Sequence, residues 1–183
     1  SVLAYAGKKA VIIGLDLRKP KIHLEFNLDN ETGVSNFLIG SASKDQIVKE
    51  TGIDNLSFIA AGPVPPNPSE LILSDKMPQL LEELKKDFDY VILDSPPYGL
   101  VTDASILMGY SDINLFITRQ DYSKLDYVQS VNELKETKQF KNIYFVLNDL
   151  KVEKSRYGYG YGYGYGYGYG YGYGYGYGYG YYE

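Results

Sequence analysis

The chain contains no cysteine and only one histidine, His23. Without cysteine there is no disulfide framework, no thiolate zinc site and no cysteine nucleophile. A single imidazole excludes a histidine-rich metal centre, and His23 reads as a structural or surface residue. No run approaches the roughly 18 apolar residues of a membrane-spanning helix, and no signal-peptide pattern is visible. Positive charge is also in short supply: 18 Lys and Arg stand against 23 Asp and Glu, a formal net charge of −5. Binding to a phosphate backbone depends on clustered Lys and Arg, so nucleic acid is not expected as a partner.

What is present is unevenly divided. Residues 157–183 consist of 14 Tyr, 12 Gly and one Glu. The remaining 156 residues suit one ordinary domain with a sizeable core. The expected organisation is therefore a domain over 1–156 and a tail over 157–183. Gly at every second tail position adds backbone entropy, and no periodic apolar face could bury a core, so the tail is expected to be disordered. The opening Ser-Val-Leu-Ala-Tyr-Ala-Gly reads as the end of a helix already under way, which suggests an N-terminal truncation.

In the body, short continuous apolar runs alternate with helical patterns. Strands are expected at 10–13, 56–60, 90–94, 113–118 and 143–147. Helices are expected at 34–39, 44–50 (with Ser43 as a cap), 69–73, 77–88, 104–110 and 127–138. Met77, Leu80, Leu81, Leu84 and Phe88 lie on one face of the longest early helix. Four prolines make 62–68 a rigid loop. A polyproline partner motif is a second reading of it. Five apolar strands alternating with helices predict an α/β three-layer α/β/α sandwich with a mostly parallel sheet covered on both faces.

Ligands of such sheets bind beyond the carboxyl ends of the strands. Asp94 follows Tyr90-Val91-Ile92-Leu93 directly, and Ser95-Pro96-Pro97 closes the strand abruptly. A carboxylate there suits a Walker B residue that holds Mg²⁺, a hard cation that keeps much of its water shell. A cap on the next turn is the alternative. Asp16-Leu17-Arg18-Lys19-Pro20-Lys21 puts one acid beside three bases just past a strand. It reads as a solvated charged turn or as a phosphate and metal site. Asn148 ends the last strand, where its amide could bond a base edge or form an Asx turn. The tail exposes 14 phenol hydroxyls. They read as phosphate acceptors, each phosphorylation adding about −1.5 to −2 charges. Self-association of an aromatic tract is the rival reading.

Together these segments resemble the bacterial protein-tyrosine kinases (BY-kinases). Asp16-Leu17-Arg18-Lys19-Pro20 resembles that family's Walker A′ motif, and Pro66-Asn67-Pro68-Ser69-Glu70-Leu71 its loop before a helix. Phe88 to Pro97 resembles its Walker B region, Thr102-Asp103-Ala104 fits as well, and the tyrosine cluster is the family's other hallmark. The resemblance implies a P-loop NTPase-like fold and a kinase domain of capsule and exopolysaccharide chain-length regulators. It implies ATP and Mg²⁺ as cofactors and transfer of the γ-phosphoryl to tail tyrosines between subunits of a ring-like homo-oligomer. It further implies a membrane adaptor domain on the same or a separate chain, at the cytoplasmic face of the bacterial inner membrane. Asp16 and Asp94 would be catalytic and hold the metal, and Arg18 and Asn148 would bind nucleotide. The acceptors would be Tyr157, Tyr159, Tyr161, Tyr163, Tyr165, Tyr167, Tyr169, Tyr171, Tyr173, Tyr175, Tyr177, Tyr179, Tyr181 and Tyr182.

Two departures stand out. No Walker A sequence, with its Gly-Lys-Thr, occurs in the 183 residues. The first of two Walker A′ acids falls on Gly14. The chain by itself is therefore expected to bind ATP poorly. A switch ATPase of the MinD or ParA type and a non-catalytic scaffold with an adhesive tail are the alternative readings.

Overall fold

The apolar runs of the body become strands, and their order is set by which runs need two covered faces. β1 (Ala10–Gly14) has strand partners on both edges and is almost wholly buried. The computed structural model describes residues 1–99, 101–136, 140 and 142–151. Among these, a short helix α1 (Val2–Tyr5) precedes β1, and a 3₁₀ turn (Ile22–Phe26) follows it. Then come α2 (Val34–Leu38), α3 (Lys44–Ile47), β2 (Val48–Glu50) and β3 (Leu56–Ile59). Helices α4 (Pro68–Leu73) and α5 (Lys76–Asp87) lead into β4 (Tyr90–Asp94). The remainder is α6 (Asp103–Met108), β5 (Asn114–Arg119), α7 (Leu125–Glu136) and β6 (Ile143–Asn148). Residues 1–150 form one compact unit, and the Tyr-Gly tail lies outside the described residues.

The main sheet has the order β2-β3-β1-β4. β1 runs parallel to β3, from Ala10 beside Leu56 to Ile13 beside Ile59. It also runs parallel to β4, from Ala10 beside Tyr90 to Gly14 beside Asp94. β5 and β6 form a second parallel pair, from Asn114 beside Ile143 to Arg119 beside Asn148. The five expected strands are all present. The sixth, β2, was expected as the end of a helix over 44–50. The helix stops at Ile47, and 48–50 pairs antiparallel with β3 instead. Val48 is β-branched and meets an open sheet edge, so strand pairing outweighs a second helical turn.

The core is built on β1, β3 and the apolar face of α5. Val11, Ile13, Ile59, Met77, Leu80 and Leu84 are fully excluded from solvent, together with Val34, Ile47 and Ile72 from the flanking helices. Each such side chain contributes about 1.5–3 kcal/mol relative to exposure. The proline loop stays irregular up to Pro68. This residue occupies the first turn of α4, where its missing N–H costs nothing.

The covering of both sheet faces holds for β1 and fails towards β6. In β4, Val91 and Leu93 pack on the core, whereas Tyr90 and Ile92 are exposed. In β5, Leu115 and Ile117 are exposed, and Phe116 between them packs on Met108, Val131 and Ile143. The period of two shows one dry and one wet face. Among the described residues, β4 and β5 are not paired to each other, so the predicted single sheet is divided into two.

One glycine is dictated by close packing. A Cβ on Gly33 would lie 2.1 Å from the Ala60 carbonyl oxygen and 2.5 Å from the Gly62 nitrogen. Here the chain entering α2 bonds the end of β3, with Val34 N–H donating to Ala60 O at 2.8 Å. Neither wall is a movable side chain tip. Gly33→Ala is expected to cost about 3 kcal/mol, read as a fall in the urea midpoint with an unchanged slope.

Candidate functional site

The β1–β4 register decides which residues meet. Gly14 stands beside Asp94, and the pairing continues one step further because Leu15 N–H donates to the Asp94 carbonyl at 2.8 Å. Leu15 and Leu17 are buried, so the chain beyond β1 hugs the molecule. Asp16 therefore emerges at the same carboxyl edge as Asp94. Its Oδ1 accepts the backbone N–H of Arg18 at 3.1 Å and of Lys19 at 3.0 Å. Asp16-Leu17-Arg18-Lys19 is thus a closed Asx-type turn, which a short acidic side chain forms with its own following backbone.

Asp94 ends its strand partly buried, and this desolvation is the larger cause of a carboxyl pushed up to about 6. The nearby Asp16 carboxylate is the second cause. Two carboxylates that repel each other at a strand edge, one of them partly desolvated, form a site whose charge a divalent cation would offset. Their oxygen donors fit a hard ion such as Mg²⁺ that keeps several waters. Among the described residues no cluster of three or more acidic, histidine or cysteine ligands occurs. The pair could thus supply only part of a coordination shell.

Arg18 does not point freely into this space. Its Nε donates to Asp103 Oδ2 at 2.8 Å and its Nη2 to Asp103 Oδ1 at 3.2 Å, a two-pronged contact. Nη2 also donates to Ser69 Oγ at 3.1 Å, and Ser69 in turn donates to Asp103. The Asp103 side chain has no solvent exposure, while that of Arg18 keeps 39%. Burial alone would raise the Asp103 carboxyl. The hydrogen bonds from Arg18 and Ser69, with the Arg18 charge, outweigh this and hold it below the ordinary carboxylate range. Ser69, in the first turn of α4, spends its hydroxyl on Asp103.

The other candidates are spread wider. Asn148 ends β6 beside Arg119, on the second sheet rather than with Asp16 and Asp94. Arg119 Nε donates to Asp149 at 2.7 Å. His23 sits in the 3₁₀ turn after the Asp16 loop, its Nδ1 buried without a hydrogen-bond partner among the described residues. The fourteen tail tyrosines lie outside the described residues. Two hollows of about 480 and 400 Å³ open at the opposite end of the strands, around Lys9, Asn55 and Phe88 and around Tyr5 and Gly52. They are remote from the carboxylates. Sequence reasoning passed over Ser69 and Asp103 as site residues. Asp103 opens a short apolar helix and looks like an ordinary first-turn acid.

The raised Asp94 carboxyl makes a pH prediction. The folded chain holds this proton up to about pH 6, and the unfolded chain releases it near pH 4. The stability it contributes is complete below the unfolded value and is lost as pH rises through about 6. Asp94→Asn, measured without divalent ions, should raise the thermal midpoint above that of the natural chain at pH 7.5. Near pH 4 the two midpoints should converge.

No family model matches the chain. Similar proteins do. It is 35% identical over 158 residues to the tyrosine-protein kinase YwqD of Bacillus subtilis, covering 86% of this chain and 67% of that protein. The structure resembles the kinase domain of Escherichia coli tyrosine kinase ETK with a TM-score of 0.76 and 34% identity, covering 88% of this chain and 64% of that one. The cell division ATPase MinD of Pyrococcus furiosus is more distant, with a TM-score of 0.63, 26% identity, and coverage of 79% and 61%. The chain spans less than half the length of several longer tyrosine-protein kinases that it also matches. The fold is thus of the P-loop NTPase-like type shared by these kinases and MinD, and the chain belongs to the bacterial tyrosine-protein kinase family.

Proposed function

We propose that this chain is the catalytic part of an ATP-dependent tyrosine autokinase that phosphorylates its own tail between subunits. The observation that carries the reading is the pairing of Asp16 and Asp94 at adjoining strand ends in a chain that closes with 14 Tyr among 27 residues. Asp16 and Asp94 would hold Mg²⁺, which with ATP would supply charge neutralisation on the transferred phosphoryl group. Phosphoryl transfer passes through a loose transition state, so positioning and electrostatics carry most of the catalysis. Gly14, where the family resemblance implies a further acid, then need not be fatal to transfer. Arg18 lends positive charge beside Asp16 while its head group stays on Asp103. Asn148 is the candidate for the nucleotide base.

The backbone amides and lysine of a phosphate loop are missing from the 183 residues. ATP affinity of this chain by itself should be weak, and the active form would carry that loop on additional sequence. The same reading includes a ring-like homo-oligomer, a membrane adaptor on the same or another chain, placement at the cytoplasmic membrane face, and control of capsule or exopolysaccharide export. A MinD-type switch is the weaker reading, because its tail has no use for tyrosines. A non-catalytic scaffold is favoured by the missing phosphate loop and by Gly14 in place of the first Walker A′ acid.

Intact-mass spectrometry of the natural protein, with and without phosphatase, tests the proposal. A ladder of phosphate-sized steps that vanishes with phosphatase is expected, and Asp94→Asn should remove the ladder while leaving the fold intact. A full ladder in Asp94→Asn would overturn the kinase reading. Replacing one tail tyrosine by Phe should shorten the ladder by one step without changing the rate, because identical repeats make charge count the controlled quantity.

A further inference from the structure

The Arg18–Asp103–Ser69 contact joins three segments that are far apart in sequence. Asp103 opens α6, Ser69 lies in the first turn of α4, and Arg18 belongs to the turn after β1. Arg18 is held at both ends. Its guanidinium grips Asp103 through two nitrogens, and its backbone N–H donates to Asp16 Oδ1 at 3.1 Å. The next residue, Lys19, donates a second N–H to the same oxygen. The orientation of the Asp16 carboxylate therefore depends on a short turn whose middle residue is tethered to a fully buried anion.

We propose that Asp103 is a positioning residue of the site: through the Arg18 fork it fixes the Asp16–Lys19 turn, and with it the Asp16 carboxylate at the strand edge shared with Asp94. This rests on the reading of Asp16 as a metal-site ligand. Three facts favour it over simple packing. A buried carboxylate without its Arg partner is strongly unfavourable, so the fork is held closed rather than optional. The fork fixes direction as well as distance, which a lysine could not do. Ser69 completes the ring, donating to Asp103 and accepting from Arg18, so the guanidinium has little freedom to swing. Groups one shell behind a metal ligand orient it in this way, and their loss typically lowers metal affinity about 10–100-fold.

The test uses Asp103→Asn, which keeps shape and loses charge, and Arg18→Lys, which keeps charge and loses the fork. Amide exchange on the 183-residue chain is the first arm. The Arg18 and Lys19 amides should exchange about tenfold faster in both variants, with Val11 and Ile13 in β1 unchanged. No selective change there would overturn the proposal whatever the chain catalyses. The second arm measures tail phosphorylation by the natural full-length protein against Mg²⁺ concentration. Half-activation should need about tenfold more Mg²⁺ in each variant, with the rate at saturating Mg²⁺ largely recovered in Asp103→Asn. The double variant should be no worse than either single one. An unchanged Mg²⁺ requirement in a folded variant would overturn the proposal. Natural protein that never labels its tail would sink the kinase reading and leave the exchange arm to decide. Should Asp103→Asn fail to fold, Arg18→Lys, altered at a partly exposed side chain, decides both arms.

Discussion

The parallel pairing of β1 with β4 is the constraint on which everything else depends. Five consecutive rungs, ending at Gly14 and Asp94, bring two strand ends to the same level. Because parallel strands deliver their carboxyl ends to one edge, the residues that follow them share a single rim of the molecule. Asp16 and Asp94 are neighbours for this reason. A register shift of one residue would turn the Asp94 side chain to the other face of the sheet and separate the pair.

The rim is costly in electrostatic terms. Asp94 is charged against burial and against Asp16, and Asp103 is a buried carboxylate. The two are handled differently. Asp103 is fully compensated by a guanidinium fork and a hydroxyl, and its proton is held off. Asp94 is raised and spends no comparable partner among the described residues. The compensated carboxylate holds its partners in place, and the uncompensated one is the group whose charge a cation would offset under the proposed reading. The dry core below, with Ile13, Ile59, Met77, Leu80 and Leu84, gives both a rigid base. Surface ion pairs such as Arg119–Asp149 add little to this.

The exposed faces of β4 and β5 are the other consequence of the topology. Ile92, Leu115 and Ile117 carry the apolar character of strands that are covered on both sides, yet one side is wet. The split between the two sheets falls at the same place. These strands were therefore readable as strands, because apolar β-branched runs fit a pleated surface in any setting. Their exposure was not readable, since a run covered on one face and a run covered on both have the same composition.

Much of the site was legible in the chain itself. An apolar run followed at once by Asp94 and two prolines announces a strand end with a carboxylate, and Asp16-Leu17-Arg18-Lys19-Pro20 announces a turn that cannot continue the strand. These are local signals, carried by neighbouring residues, and sequence displays them directly. The partners of Arg18 were not legible. Ser69 and Asp103 are 51 and 85 residues away from it, and each looks locally like a helix-start residue. Nothing in composition or spacing distinguishes an Asp that caps a turn in water from one buried under a guanidinium. That difference is made by which helices pack together above β1 and β4. The sequence alone thus determined five of the six described strands, the turn and the carboxylates, because these follow from local backbone chemistry. Only the tertiary structure decided that Arg18 is a tether rather than a free cation, because burial and long-range pairing exist only once the chain has folded.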